Sequence, residues 1–196
     1  MPSPSFSCLL RGTGPMTPTL KTERLLLRPY RPEDAGTVAE HAGNWEVAKM
    51  LARVPHPYTR DMAVTWISSH EELARSGKGY AFCIEHDGDA VGSIGLQRSS
   101  DGVYELGYWL GEPWWGDGLV SEAALRIVRW AFEDLGADRL VSGHLADNPA
   151  SGRVLEKCGF RYTGESMEHC EARGEAVAHR NFERGRDETE GWTERS

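Results

Sequence analysis

The sequence predicts an α/β (α+β) domain, built on a mixed, twisted sheet of six or seven strands with helices on both faces. Three observations lead to this fold class. Three strand-like runs follow one another through short turns, which is typical of an antiparallel meander. A long amphipathic helix pattern comes next, and then a strand, a short helix and a further strand. This order requires parallel and antiparallel strands in one sheet, with helices covering both faces.

The chain of 196 residues has room for one domain with a sizeable core. We expect residues 22–184 to form that domain, residues 1–21 to be a disordered leader and residues 185–196 to be a charged, frayed tail. The leader lacks the layout of a signal peptide, and Met16 within it is an alternative start.

The first half of the domain is predicted to contain a strand, a helix, an irregular segment and a second helix. The run TERLLLRPY, which begins at Thr22, predicts a strand, and RPEDAGTVAEHAG predicts a helix with Asp34 near its cap. Residues 44–58 contain two prolines, and we expect them to be irregular. Thr59 then caps a helical pattern that continues to Arg75.

The second half begins with the meander and ends with the strand–helix–strand unit. The meander consists of YAFCIEH, AVGSIGLQ and VYELGYWL. Apolar residues then recur with a helical period over residues 118–135, and Gly136 ends that helix. DRLVSGHL predicts a strand, and Asn148 followed by proline predicts the start of a short helix. FRYTGE and the residues 177–182 supply the last strands.

Composition excludes several classes of protein. The formal net charge of −8 argues against a nucleic-acid partner, because neutralising phosphates needs a surplus of cations. No apolar run reaches the ~20 residues of a membrane span, so we expect no membrane association. The four cysteines lack metal-ligand or disulfide spacing. They predict no metal site and a reducing, cytoplasmic location.

Gly116 and Gly118 precede the long helix, and this is the segment to which we assign chemistry. The first turn of a helix has N–H groups without internal partners, and glycines let a ligand approach them closely, so a diphosphate would fit there. The string is not a P-loop, which needs Gly-x4-Gly-Lys-Ser/Thr. A dinucleotide-binding protein remains a remote alternative: Ser121 replaces its third glycine, but Asp138 lies at a suitable distance downstream.

Residues 22–184 resemble the GNAT acetyltransferase superfamily, specifically its RimJ/RimL-like branch. The cofactor signature of that family is Gln/Arg-x-x-Gly-x-Gly/Ala. This sequence has Trp115 at its first position, Gly118 at its fourth and Val120 at its last. A second block, Asn148-Pro-Ala-Ser-Gly-Arg-Val-Leu-Glu-Lys-Cys-Gly-Phe160, resembles the family's Asn-x-x-Ser…Gly-Phe. Val120 departs from the pattern and narrows the space beside the phosphates.

The resemblance implies an N-acetyltransferase that moves acetyl directly from acetyl-CoA to a primary amine, without an acyl-enzyme or a metal. The cofactor would lie in a V-shaped opening between the strand ending near Leu110 and the strand of residues 140–145. Backbone N–H groups near Trp109 and Leu110 would serve the oxyanion. The expected cofactor-binding residues are Tyr108, Trp109, Leu110, Trp115, Gly116, Asp117, Gly118, Leu119, Val120, Ser121, Asn148 and Ser151.

The catalytic roles follow from the chemistry of acetyl transfer, and each residue also has a purely structural interpretation. Ser151, in the first turn of the short helix, is our candidate partner for the leaving thiolate, with Tyr108 and Tyr162 as reserves. Asn148 would combine capping with a hydrogen bond to cofactor or substrate. Glu105, inside an apolar strand, is the candidate general base.

One histidine and three aromatic residues complete the predicted site. His56 competes with Glu105 as base, because its side chain titrates nearer neutrality. We expect His144 to point away from its strand into solvent. The predicted substrate wall consists of Trp45, His56, Tyr58 and Trp66.

The sequence does not decide whether the acetyl acceptor is a protein α-amino group or a small amine. A non-catalytic acyl-CoA-binding sensor is the alternative function, for which Val120 and the uncertain base leave room. Many relatives pair, so a homodimer is possible.

Overall fold

The computed structural model describes residues 16–187. Residues 1–15 of the predicted leader and residues 188–196 of the predicted tail lie outside the described residues. The remainder forms one sheet of eight strands in the order β1-β2-β3-β4-β5-β6-β8-β7. The strands are β1 Leu20–Lys21, β2 Leu25–Arg28, β3 Gly79–His86, β4 Asp89–Arg98, β5 Tyr104–Leu110, β6 Arg139–Leu145, β7 Arg161–Cys170 and β8 Glu175–Gly185.

Five α-helices and two short 3₁₀ turns accompany this sheet in the described residues. Thr59 caps the third helix as predicted, since its Oγ1 accepts a hydrogen bond from Met62 N. The 3₁₀ turns are Pro32–Asp34 and Glu112–Trp114. The helices are α1 Ala35–Gly43, α2 Trp45–Ala48, α3 Arg60–Arg75, α4 Leu119–Glu133 and α5 Pro149–Lys157.

The sheet has one strand more than the six or seven predicted. Leu20 and Lys21, which the prediction placed in the leader, pair with Leu27 and Leu26 as a short edge strand. Thr22 closes the turn between β1 and β2, because its main-chain N–H donates to Leu25 O at 3.0 Å. The segment 44–58, predicted to be irregular, begins with the single-turn helix α2.

Helices cover both faces of the sheet, as predicted. On one face, α4 and α5 pack on the strands through the main core, where Trp130 lies edge-to-face on Tyr80 and Phe82. On the other face, α1 and α3 bury a smaller cluster that includes Val38 and Ile67. None of the described helices combines the length and apolar character needed to cross a membrane.

The sheet topology contradicts the remote alternative of a dinucleotide-binding fold. Among the described strands, only β5 and β6 pair in parallel, with α4 as the crossover between them. The neighbouring pairs β3–β4, β4–β5 and β6–β8 are antiparallel. A dinucleotide fold needs several consecutive parallel units, and the described strands form a single one.

Candidate active site

The central feature of the molecule is a gap between β5 and β6. The two strands pair at only two positions, Tyr104 with Leu140 and Glu105 with Val141. Immediately beyond, Ser142 Oγ donates a hydrogen bond to Leu106 O at 2.7 Å, so a side chain satisfies the first carbonyl after the pairing ends. Among the described residues, the later peptide groups of β5 that face this gap have no strand beside them and are available to a ligand.

The register of β5 determines which of its N–H groups face this gap. Gly111 N donates to Val91 O at 2.8 Å, so the odd-numbered residues of this strand point their N–H groups toward β4. The N–H of Trp109 therefore points to β4, and those of Tyr108 and Leu110 point to the gap. Of the two oxyanion donors that we predicted, Leu110 has a suitable direction and Trp109 does not.

A loop of two glycines connects this gap to α4. Gly116 and Gly118 have φ of 94° and 76°, a conformation that L residues with side chains rarely adopt. The first main-chain hydrogen bond of α4 runs from Glu122 N to Gly118 O at 3.1 Å. The N–H groups of residues 119–121 consequently have no main-chain partner within the described residues. Such N–H groups, together with the helix dipole, are suited to bind an anion.

An ion-pair network holds the start of α4 in position. Arg24 Nε lies 2.7 Å from Glu122 Oε2, and Thr22 Oγ1 lies 2.5 Å from Glu122 Oε1. Burial disfavours the Glu122 carboxylate, but the bonds from Thr22 and Arg24 outweigh it and lower the pKa of Glu122. Arg24 Nη1 also donates to Asp117 O at 3.0 Å. Arg24 was missed in the sequence because it lies 98 residues from Glu122.

Tyr108 and Ser151 meet across the gap. The Tyr108 hydroxyl lies 2.9 Å from Ser151 Oγ and donates to Ser151 O at 3.1 Å. Burial raises the pKa of Tyr108, and the hydrogen bond with Ser151 opposes this only in part, so the phenol stays neutral. Asn148 Oδ1 accepts from Ser151 N at 3.2 Å, which makes Asn148 the cap of α5 as predicted.

Glu105 lies on the opposite face of β5 from Tyr108, and it forms an ion pair with Arg53. Arg53 Nη2 lies 3.0 Å from Glu105 Oε2, and Arg53 Nη1 donates to Gln97 Oε1 at 3.0 Å. The Glu105 side chain is 42% exposed. The candidate base is thus an accessible carboxylate in an ion pair, and an incoming cationic amine would compete with Arg53 for it.

One cavity of about 1530 Å³ joins these features. Glu105 and the substrate candidates Tyr58 and Trp66 line it, whereas Asp117 and the reserve Tyr162 do not. The predicted cofactor-binding residues that line it are Tyr108, Trp109, Leu110, Trp115, Gly116, Gly118, Leu119, Val120, Ser121, Asn148 and Ser151.

Trp45 and His56 lie outside the cavity lining. Their rings contact each other with centroids 5.2 Å apart, and His56 Nδ1 lies 3.1 Å from Gly43 O. His56 therefore packs against the end of α1.

His144 is buried, and the prediction that it faces solvent was wrong. It alternates along β6 with Leu140 and Ser142, which places all three on the same inner face. Its Nδ1 lies 2.8 Å from Leu145 O, and its ring packs against Gly152 at the start of α5. Burial lowers the pKa of His144. The period-2 pattern of this strand was the signal that could have identified it.

A cleft between two diverging parallel strands, with the start of a helix at one end, characterises this mixed α/β domain. Residues 24–161 match the family model described as Acetyltransferase (GNAT) domain, and the chain belongs to that family. The described residues contain no group of three side chains that could hold a metal ion.

Curated relatives share this family. The chain is 28% identical to "Uncharacterized N-acetyltransferase p20" of Bacillus licheniformis over 166 residues, which is 81% of this chain and 91% of the relative. It is 26% identical to "[Ribosomal protein uS5]-alanine N-acetyltransferase" of Escherichia coli over 164 residues, covering 76% of this chain and 81% of the relative.

Solved structures have the same fold. The structure of Mycobacterium smegmatis RimJ in complex with CoA-disulfide superposes with a TM-score of 0.79 at 21% identity, covering 89% of this chain and 90% of that one. The resemblance to RimJ/RimL proteins noted in the sequence is therefore confirmed at the level of family and fold.

Proposed function

We propose that the protein transfers an acetyl group from acetyl-CoA directly to a primary amine, on a peptide N-terminus or a small molecule. The observation that carries this proposal is the gap between β5 and β6, which leads to the unpaired N–H groups at the start of α4. An acyl-CoA has amide groups along its arm and a diphosphate at the far end. The gap offers complementary partners for both.

The peptide group of Tyr108 would pair with an amide of the arm, and the N–H of Leu110 would face the oxyanion of the reacting thioester. Because Leu110 O already accepts from Trp115 Nε1 at 2.7 Å, its N–H is the group left for a ligand. The residues 116–121 would hold the diphosphate through main-chain N–H groups. Val120 is half-buried and packs against the main core, so its side chain leaves its own N–H available.

In the proposed reaction the amine nitrogen attacks the thioester carbonyl, the C–N bond forms, and the C–S bond breaks. The amine loses one proton, and the thiolate gains one. Ser151 Oγ would donate its hydrogen bond to the leaving sulfur. The neutral Tyr108 hydroxyl would then donate to Ser151 Oγ instead of to Ser151 O. Glu105, or water that it holds, would accept the amine proton.

The acceptor side of the cavity favours a cationic amine. Its wall includes the carboxylates of Asp61, Glu105 and Glu168. Opposite charge there raises the local concentration of a protonated amine before it loses its proton. A peptide N-terminus is one such acceptor, and the name of the E. coli relative gives an alanine of ribosomal protein uS5 for that protein.

The proposal is tested by following thiol release from acetyl-CoA over a panel of peptides and free amines. Release with peptides alone supports a protein α-amino acceptor, and release with free amines alone supports a small-molecule enzyme. Tight binding of acetyl-CoA without release of thiol with any acceptor would overturn the proposed enzyme activity and favour the acyl-CoA sensor.

The free, buried thiols of Cys83, Cys158 and Cys170 fit the proposed reducing, cytoplasmic location.

A further inference from the structure

The ring of His179 lies at the edge of the gap between β5 and β6. Its strand, β8, pairs with β6, and the imidazole lies over Gly143, where a Cβ would clash with His179 Cε1 and lie 2.8 Å from His179 Nε2. Gly143 is two residues beyond Val141, the last residue of β6 that pairs with β5. Both Gly143 and His179 line the cavity. A glycine at this position gives the imidazole the room to reach the gap.

Hydrogen bonds determine which nitrogen of this ring carries the proton. Asn181 Nδ2 donates to Ser166 Oγ at 3.2 Å, and Asn181 Oδ1 lies 3.0 Å from His179 Nδ1. Because an amide oxygen can only accept, Nδ1 is the donor in neutral His179, and Nε2 keeps a free electron pair. Within residues 16–187, Nε2 has no hydrogen-bond partner, and it is not closed off from solvent. The ring is therefore oriented through one nitrogen, and the other is a proton acceptor open to the cavity.

His179 lies on the same face of the sheet as Glu105. Paired residues of neighbouring strands share a face, and so do residues two apart along a strand. Glu105 pairs with Val141, which therefore shares its face with Gly143 and Leu145. Leu145 pairs with His179. An amine that enters beside Glu105 thus meets a second potential base on β8.

The charges around the ring favour a cationic acceptor. Glu168 lies on this face of β7, two residues after Ser166, which pairs with His179. Glu168 and Asp61 of α3 line the cavity, and their negative charge favours an ammonium ion beside the ring. On the other face of β6, His144 is buried and its pKa is lowered. Other charged side chains on this face or at its rim form ion pairs with one another: Glu105 with Arg53, Glu183 with Arg139, and Asp147 with Arg173.

A protonated amine needs a base before it can attack a thioester. Its nitrogen has no electron pair, so it must lose one proton to become a nucleophile and a second one as the C–N bond forms. Glu105, a carboxylate in an ion pair with Arg53, is a weak base for the first proton. Imidazole is the side chain whose protonation ordinarily changes near neutral pH, which suits it to this step.

We propose that His179 Nε2 accepts the first proton of the ammonium group, and that Asn181 is the positioning residue that fixes the tautomer of His179. The proposal rests on the proposed function and adds a catalytic residue to it. One N–H bond of the ammonium group breaks and one forms at Nε2, which gives a free amine and an imidazolium that still donates through Nδ1 to Asn181. The imidazolium returns its proton to solvent through the open cavity. Glu105 receives the second proton as the amine attacks.

His179→Gln tests the proton transfer, because glutamine keeps a polar side chain but cannot take up a proton. The kcat/KM for the amine should fall about 10²-fold near neutral pH. The loss should shrink as the pH approaches the pKa of the amine itself, because solution then supplies the free amine. The acceptor is whichever peptide or free amine releases thiol with the wild type, and the dissociation constant of acetyl-CoA should stay the same. His169→Gln, an exposed position on the same hairpin outside the cavity lining, is the control.

The tautomer is tested without any acceptor, by the ¹⁵N NMR shifts of the His179 ring at a pH where the ring is neutral. In the wild type, Nδ1 should have the shift of a protonated nitrogen and Nε2 that of an unprotonated one. Asn181→Ala should give a mixture of the two tautomers. Asn181→Asp, whose carboxylate also accepts from Nδ1, should restore the wild-type pattern.

Three results would overturn the proposal. Unchanged kcat/KM in His179→Gln would remove the residue from the reaction, and a loss that is equal at every pH would give the ring a structural role only. A wild-type ring protonated at Nε2 would leave no acceptor toward the cavity. If the wild type releases no thiol with any amine, the proposed function itself fails, whereas the NMR result does not depend on turnover, so the two failures are distinguishable.

Discussion

At the scale of single residues, the hydroxyl groups of Tyr108 and Ser151 form a pair whose members have different environments. Tyr108 is held neutral by burial, and Ser151 lies in the first turn of α5, where the helix dipole favours a nearby negative charge. Ser151 is therefore the donor that gains most from a developing thiolate. Tyr108 orients it through a 2.9 Å contact.

Ser151→Ala should lower kcat by about 10²-fold, because the hydrogen bond to sulfur strengthens mainly as the thiolate leaves. The dissociation constant of acetyl-CoA should stay close to that of the wild type. Steady-state kinetics and calorimetry measure the two quantities. Tyr108→Phe is the matched comparison and should give a smaller loss of kcat. Unchanged turnover in Ser151→Ala would remove this residue from the mechanism.

At the scale of elements, the position of α4 depends on a side chain in its own first turn. Glu122 connects α4 to Thr22 and Arg24, which lie between β1 and β2. The N–H groups that would hold the diphosphate come from residues 119–121, immediately before this anchor. The segment between β1 and β2 thereby orients the N–H groups at the start of α4.

Glu122→Gln should weaken coenzyme A binding about threefold and lower the free energy of unfolding by about 1 kcal/mol, because the pair with Arg24 is partly exposed. Calorimetry and urea unfolding measure these effects. Glu133→Gln, at the other end of α4, is the control and should leave binding unchanged. Equal binding by Glu122→Gln and wild type would show that the loop holds its shape without the anchor.

The hairpin of β7 and β8 closes the acceptor side of the cavity. At its tip, Arg173 Nε donates to Lys49 O at 2.6 Å, and Arg173 Nη1 lies 2.7 Å from Asp147 Oδ2. Glu171 N also donates to Ala52 O at 3.0 Å. These contacts fix the segment after α2, which carries Arg53, the partner of Glu105.

Arg173→Ala should raise the KM for the amine several-fold, because the segment that contains Arg53 loses its support. The dissociation constant of acetyl-CoA should change little, since the start of α4 is untouched. Arg180→Ala, which removes an exposed pair with Glu165 on the same hairpin, is the control. A rise in cofactor dissociation constant with no change in acceptor KM would contradict this role of the tip.

The sequence was sufficient for the elements whose signals are local. The helical period identified α4, the two glycines located its start, and Asn148 with its proline marked the start of α5. Contacts between distant segments carry no such signal. The bonds of Arg24 to Glu122, of Arg53 to Glu105 and of the hairpin tip to the α2 segment arise only when the sheet brings those segments together.

At the scale of the whole molecule, a buried ion pair connects the strands β2 and β3 to the segment that precedes α1. Arg28 on β2 makes two bonds to Asp34 before α1, at 2.8 and 2.9 Å, and also contacts Glu85 on β3. The side chains of Arg28 and Asp34 are only 6% and 8% exposed, respectively. The predicted homodimer stays a prediction.

Burial opposes the charge of Asp34, but the hydrogen bonds from Arg28 and from Arg31 N outweigh it and lower its pKa. A carboxyl whose folded pKa is below its unfolded value of about 3.9 stabilises the fold above that pH. That contribution is lost as the pH falls through the folded pKa. The free energy of unfolding of the wild type should therefore decrease on acidification below about pH 4.

Asp34→Asn should lower the free energy of unfolding by about 3 kcal/mol near neutral pH, because Arg28 stays buried and loses one charged partner. The difference between wild type and variant should shrink between about pH 4 and pH 2, where Asp34 itself becomes protonated. Urea unfolding at a series of pH values measures it. Asp89→Asn, at the exposed first residue of β4, supplies the control and should track the wild type throughout. A deficit that is the same at every pH would mean that packing, and not the charge of Asp34, stabilises this junction.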